Sequence, residues 1–215
     1  MLKSSSHPGA RPLGLPRLER RLPARLSLQE AQRLLELVAN ARTGSRFHHS
    51  RNRALLATCL YAGLRRTELL RLVLTDLDLD GRSTLVRQGK GSKDHYVPVQ
   101  PALAGTLRRY LEERKATGKR CAEVFTSVRR DEVLSVDGLR RVIVSLQKAP
   151  TPRFHLHTLR HTFATLMLEG GCDIYALLRM MGHSDIKSTT LYLAASTQHL
   201  RAQISRHPLR NAGAV

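Results

Sequence analysis

A mainly helical α+β domain with one small antiparallel β-meander is the fold class this sequence predicts, and three observations predict it. Apolar residues recur at i, i+3, i+4 and i+7, as Ala31, Leu34, Leu35 and Val38 do, which is the period of a helix with one buried face. Between residues 77 and 99 that period gives way to short β-prone runs separated by Asp80-Gly81 and by Gly89-Lys90-Gly91-Ser92, the residue types of tight turns. Of the 215 residues, 41% are hydrophobic, enough for a core that needs no disulfide or metal to hold it.

The elements follow in chain order. Ser27 and Glu30 form a capping box at i, i+3, so a first helix starts after Ser27. Residues 42–53 are basic and lack an apolar period, and read as a loop. The apolar run 54–64 is a second helix stopped by Gly63, and residues 67–72 are a third. Three strands come next, around Leu77 and Leu79, at 83–87 and at 95–99. Pro101 suits the first turn of a helix over 101–117, whose Leu103, Leu107, Tyr110 and Leu111 make an apolar stripe. A helix over 135–147 follows, then a break at Pro150-Thr151-Pro152. Residues 157–169 form a helix closed by Gly170-Gly171, Asp173 caps another through Met181, Gly182 ends it, and a last helix spans 185–192. No internal repeat is present.

Charge narrows the function. Lys and Arg number 36 against 17 Asp and Glu, a formal net charge of +19, and such an excess has to lie on the surface, where it attracts a polyanion. The first 26 residues hold four prolines and six basic residues against Glu19 alone, which describes an extended basic arm and no core. Cys59, Cys121 and Cys172 are far apart and form no CxxC pair, as expected of a reducing compartment. The longest apolar run, 54–64, is too short for a membrane span, and no apolar signal segment follows the N-terminus. A soluble, cytoplasmic chain is the expectation.

Three separated places hold polar residues that packing does not require. Arg65, in Gly63-Leu64-Arg65-Arg66-Thr67-Glu68-Leu69, lies between two helices; by itself it reads as a solvated basic turn. In His157-Thr158-Leu159-Arg160-His161, i, i+3 spacing puts His157 and Arg160 on one face, away from Leu159, Phe163 and Leu166, at a helix N-terminus suited to a phosphate. A zinc reading of His157 and His161 is weak, since no Glu follows His157 as in HExxH. Gly182-His183 precedes Tyr192 by a short polar stretch, and taken singly Tyr192 is a packed tyrosine.

In order and spacing, Arg65, Lys90, His157, Arg160, His183 and Tyr192 resemble the tyrosine recombinase family, the phage integrase and Xer-like enzymes. The resemblance spans about residues 21–205 and rests on GLRRTEL, VRQGKGSKDHYVPV, HTLRHTFAT and MMGHSDIKSTTLY. It implies a basic arm over 1–26, a catalytic domain over 27–205 and a tail over 206–215.

The resemblance also implies a reaction. Tyr192 attacks a DNA phosphodiester and forms a 3′-phosphotyrosyl bond, and Arg65 and Arg160 are forked guanidinium groups suited to the non-bridging oxygens. A phenol with a pKa of about 10 needs help to ionise. His157 is the candidate base, Lys90 the candidate acid for the leaving 5′-oxygen, and His183 a donor to the phosphate. Lys93 competes locally with Lys90, Glu68 and Asp76 read as structural partners, and His161 as support for the helix. The implied chemistry uses no metal, nucleotide or other cofactor. The implied partners are double-stranded DNA and further copies of the chain in a tetrameric synapse, or a partner recombinase. Such enzymes usually carry a helical core-binding domain ahead of the catalytic one, and only about twenty residues precede Arg20-Arg21-Leu22-Pro23 here. A non-catalytic DNA-binding relic and a relaxing topoisomerase are therefore the alternatives.

Overall fold

The computed structural model describes residues 24–41, 44–87, 94–147 and 153–182. The expected turn at 89–92 with Lys90, the expected helix over 185–192, His183 and Tyr192 lie outside these residues. In order the elements are α1 (Leu28–Asn40), α2 (Arg46–Ala62), α3 (Arg66–Arg71), a single 3₁₀ turn (Leu74–Asp76), β1 (Leu77–Asp78), β2 (Ser83–Val86), β3 (His95–Pro98), α4 (Pro101–Ala116), α5 (Val136–Leu146), α6 (Leu156–Glu169) and α7 (Ile174–Met180). The strands form one antiparallel meander in the order β1-β2-β3, with Thr84 opposite Leu77 on one side and Val97 on the other. The mainly helical fold with a small meander is thus the observed one.

Local chemistry sets the helix starts. Ser27 accepts from the Glu30 backbone N–H at 3.2 Å while Glu30 accepts from the Ser27 backbone N–H at 2.7 Å, so two otherwise orphaned donors are satisfied. Chain packing begins before that cap. Leu26 is buried, its N–H donates to Thr162 Oγ1 at 2.9 Å, and Arg25 pairs with Glu169 at 3.1 Å, so residues read as the end of a free arm are fastened to α6.

The basic stretch read as a loop over 42–53 is a correction. Ser45 caps His48, and α2 starts at Arg46. Its charges hide the helix from a hydrophobic period, because Arg51 and Asn52 are buried beside Phe47 and Ala54. Arg51 is accommodated there by donating to the Asn52 side chain at 2.9 and 3.2 Å and to the Thr126 carbonyl at 3.2 Å.

α2 is the central element, packed against α1, α4 and α6. Around its N-terminal half Phe47, Tyr110 and Phe125 stack in series at 5.9 and 5.6 Å between ring centroids, with the Tyr110 hydroxyl donating to the Val124 carbonyl at 2.8 Å. Aromatic pairs of this kind contribute about 1 kcal/mol each beyond their buried area. A smaller apolar cluster of Phe163, Ala164, Leu168, Leu177 and Met181 fastens α7 to α6. The meander meets α7 through β3. The C-terminal ends of α2 and α7 and the start of α3 are thereby gathered beside α6.

Candidate active site

The site is built where α2 ends. Gly63 adopts φ +60°, and a Cβ there would lie 2.2 Å from Phe163 Cδ1, so both the turn and the closeness of α6 call for glycine. The turn aims the Gly63 carbonyl at Arg160, whose Nη1 donates to it at 2.5 Å. Two residues on, Arg65 occupies the N-cap position of α3. Glu68, one turn into that helix, accepts from the Arg65 backbone N–H at 2.6 Å and from Arg65 Nη1 at 2.5 Å. The same carboxylate lies 3.7 Å from Arg160 Nη1.

Arg65 and Arg160, distant in sequence, therefore share one carboxylate. They also share the end of α7: Arg160 Nη2 donates to the Met181 carbonyl at 2.8 Å and Arg65 Nη2 to the Gly182 carbonyl at 3.2 Å. Their surroundings differ. The Arg65 side chain is 35% exposed, whereas that of Arg160 is 7% exposed. The expectation that Arg160 lies apart from the buried face of its helix is corrected, because α6 is enclosed from Thr158 to Thr165 with the exception of His161. A permanently charged guanidinium is tolerated there only because carbonyls and a carboxylate meet it.

His157 is exposed in the first turn of α6. His161, one turn further, is half-buried, and burial first, then the nearness of His157 and Arg160, lowers the pKa of its imidazole. Of the two acids read as structural partners, Glu68 holds Arg65 and Asp76 holds Arg87. Asp76 is buried and accepts from Arg87 Nε at 2.6 Å and Nη2 at 2.8 Å. Among the described residues the fold thus brings together Arg65, Glu68 and Arg160 and sets His157 at the head of the helix that carries Arg160.

One residue was not singled out by sequence reasoning. His95 opens β3, and its Nε2 lies 3.1 Å from the Met180 carbonyl, which can only accept, so Nε2 carries the hydrogen. Burial holds its pKa down, Arg65 and Arg160 add to this, and Glu68 and the Met180 carbonyl oppose it. The available signal was its place in the chain, directly after the Gly-flanked turn.

The structure is thus a mainly helical domain with a short meander, in which two arginines, one at the head of α3 and one in α6, meet over one buried glutamate. Residues 24–199 match the phage integrase family, and the chain belongs to that family. It is 35% identical over 186 residues to tyrosine recombinase XerA of Thermococcus kodakarensis, covering 86% of this chain and 63% of that protein. It is also 35% identical over 204 residues to tyrosine recombinase XerC of Bacillus pumilus, covering 91% and 65%. The chain thus spans a little under two thirds of the length of these relatives. Among solved structures, that of XerA recombinase superposes with a TM-score of 0.74 at 31% identity, covering 87% of this chain and 66% of the other. The catalytic domain of bacteriophage HP1 integrase, at 23% identity and a TM-score of 0.57, shares the fold over 89% of this chain and 99% of its own length.

Proposed function

We propose that this chain breaks and rejoins double-stranded DNA at specific sites through a phosphotyrosyl intermediate. The observation that carries the reading is the meeting of Arg65 and Arg160 on Glu68, which sets two forked cations at one place. Two guanidinium groups against one carboxylate leave a net positive site, suited to the charge that develops on the non-bridging oxygens of a phosphodiester under attack. Family membership and the net charge of +19 support the same substrate. So does the solved XerH recombinase bound to its difH substrate, 25% identical, with a TM-score of 0.65, over 82% of this chain and 53% of that one.

In this reading Tyr192 Oη attacks phosphorus, its proton passing toward His157, and the bond to the 5′-oxygen breaks as Lys90 delivers a proton to that oxygen. His183 donates to a non-bridging oxygen. The phosphotyrosyl bond conserves the energy of the broken linkage, so a second 5′-hydroxyl reverses the step without nucleotide hydrolysis. The guanidinium groups meet the charge that a metal would otherwise meet. Residues 27–205 act as the catalytic unit, with residues 1–26 and 206–215 flanking it, and copies of the chain assemble on DNA to exchange strands. No helix among the described residues is long and apolar enough to cross a membrane.

Incubation with nicked duplexes that trap a cleaved strand tests the reading. The wild-type chain is expected to form a covalent adduct in EDTA, and Tyr192→Phe to form none while binding duplex as before. An adduct that persists in Tyr192→Phe moves the nucleophile, and one that requires magnesium overturns the mechanism. DNA binding without any adduct leaves a non-catalytic DNA-binding relic.

A further inference from the structure

Three successive carbonyls end α7, and each is taken by a side chain from a different part of the fold. His95 of β3 holds Met180 at 3.1 Å, Arg160 of α6 holds Met181 at 2.8 Å, and Arg65 at the head of α3 holds Gly182 at 3.2 Å. A helix leaves its last carbonyls without intrahelical partners, and here they are shared among three donors instead of being left to water. Two of those donors are the arginines assigned above to the scissile phosphate.

We propose that His95 is a positioning residue for the arginine pair, its Nε2 fastening the end of α7 to β3 so that the carbonyls that Arg65 and Arg160 hold stay in place. This rests on the recombinase reading of the site. The arginines meet the phosphate and anchor α7 at once, and an end of α7 that drifted would take one carbonyl from each guanidinium, leaving Arg65 held by Glu68 and Arg160 by the Gly63 carbonyl. His95 supplies the one anchor of the three that takes no part in the phosphate. Placement errors of about 1 Å at a reacting phosphate cost on the order of a hundredfold in rate, so a modest loosening of α7 is sufficient to be measured.

The test compares wild type with His95→Gln, whose amide nitrogen takes the place of Nε2, and with His95→Ala. His95→Asn, whose amide falls short of Met180, substitutes if the alanine variant does not fold. Adduct formation at saturating nicked duplex, duplex Kd and amide hydrogen exchange over residues 177–182 are measured together. Removal of the anchor is expected to slow adduct formation at saturation about tenfold with Kd within about twofold, as for one missing positioning hydrogen bond, and to raise exchange over 177–182. His95→Gln is expected to recover both to within about threefold. Equal rates and exchange in all variants, a glutamine variant as slow as alanine, or a loss confined to Kd overturns the proposal. A wild-type chain that forms no adduct overturns the recombinase reading instead, and exchange over 177–182 then decides by itself whether His95 holds α7.

Discussion

Glu68 lies 3.7 Å from Arg160 while it holds Arg65 at 2.5 Å, and its side chain is only 4% exposed. The carboxylate offsets part of the cost of burying the Arg160 guanidinium, whose side chain is nearly as enclosed. It also caps α3 through the Arg65 backbone N–H.

Removing Glu68 is therefore expected to be costly. Deleting one member of a buried ion pair leaves the other uncompensated, and Glu68→Ala is expected to destabilise the fold by about 3 kcal/mol in urea unfolding. Affinity for duplex DNA is expected to rise or hold, because a negative charge beside the phosphate site has gone, while adduct formation falls. A stability loss below about 1 kcal/mol would mean that the carbonyls of Gly63 and Met181 are enough for Arg160.

Gly63→Ala tests the turn. The added methyl would meet both a left-handed φ of +60° and the Phe163 ring at 2.2 Å, so backbone strain and overpacking act together. A loss of about 2–4 kcal/mol is expected. Arg160 should also lose its geometry, since it donates to the carbonyl of this same residue. An unchanged melting temperature would show that neither the left-handed turn nor the Phe163 ring resists a Cβ at this position.

What could be read from the sequence follows from where side chains end up. α4 was legible because Leu103, Leu107 and Tyr110 repeat at helical spacing and are all buried. The start of α2 was hidden because it buries Arg51 and Asn52, and polar residues carry no hydrophobic period. Arg65 and Arg160 were legible as motif residues, but not that Arg160 is enclosed, since i, i+3 spacing fixes a shared face and not which neighbours cover it. His95 was missed because its partner, Met180, is brought to it only by the packing of α7 on β3.

The basic arm supplies a binding prediction that the chemistry does not. Residues 1–20 carry Lys3, Arg11, Arg17 and Arg20 against Glu19 and are distant in sequence from every proposed catalytic residue. Their deletion is expected to weaken duplex binding about equally for all sequences and to reduce the slope of log affinity against log salt by about 0.9 for each phosphate that the arm neutralises. Adduct formation at saturating DNA should not change. An unaltered salt slope would show that the arm neutralises no phosphate.

Titration of the half-buried imidazoles gives the last expectation. In His95 and His161 burial is the largest cause that lowers the pKa, and His48 is held down by burial and then by Arg51 and His49. Their unfolded counterparts take up a proton near pH 6.5 while the folded forms still resist it, so the unfolded state binds more protons as pH falls. Stability is therefore expected to be fully present above about pH 7 and to decline as pH falls below about 6.5. Glu30 and Asp131, whose pKa values are lowered chiefly by backbone hydrogen bonds from Ser27 and Cys121, add their losses only below the ordinary carboxylate range of about 4, so the two windows separate. Urea midpoints at about pH 7.5, 6.5 and 5.5 measure the histidine window. His95→Gln, which keeps the donor to Met180 but cannot titrate, should flatten part of that decline. A wild-type midpoint that stays level from about pH 7.5 to 5.5 would mean that these imidazoles accept protons in the folded chain as readily as in the unfolded one.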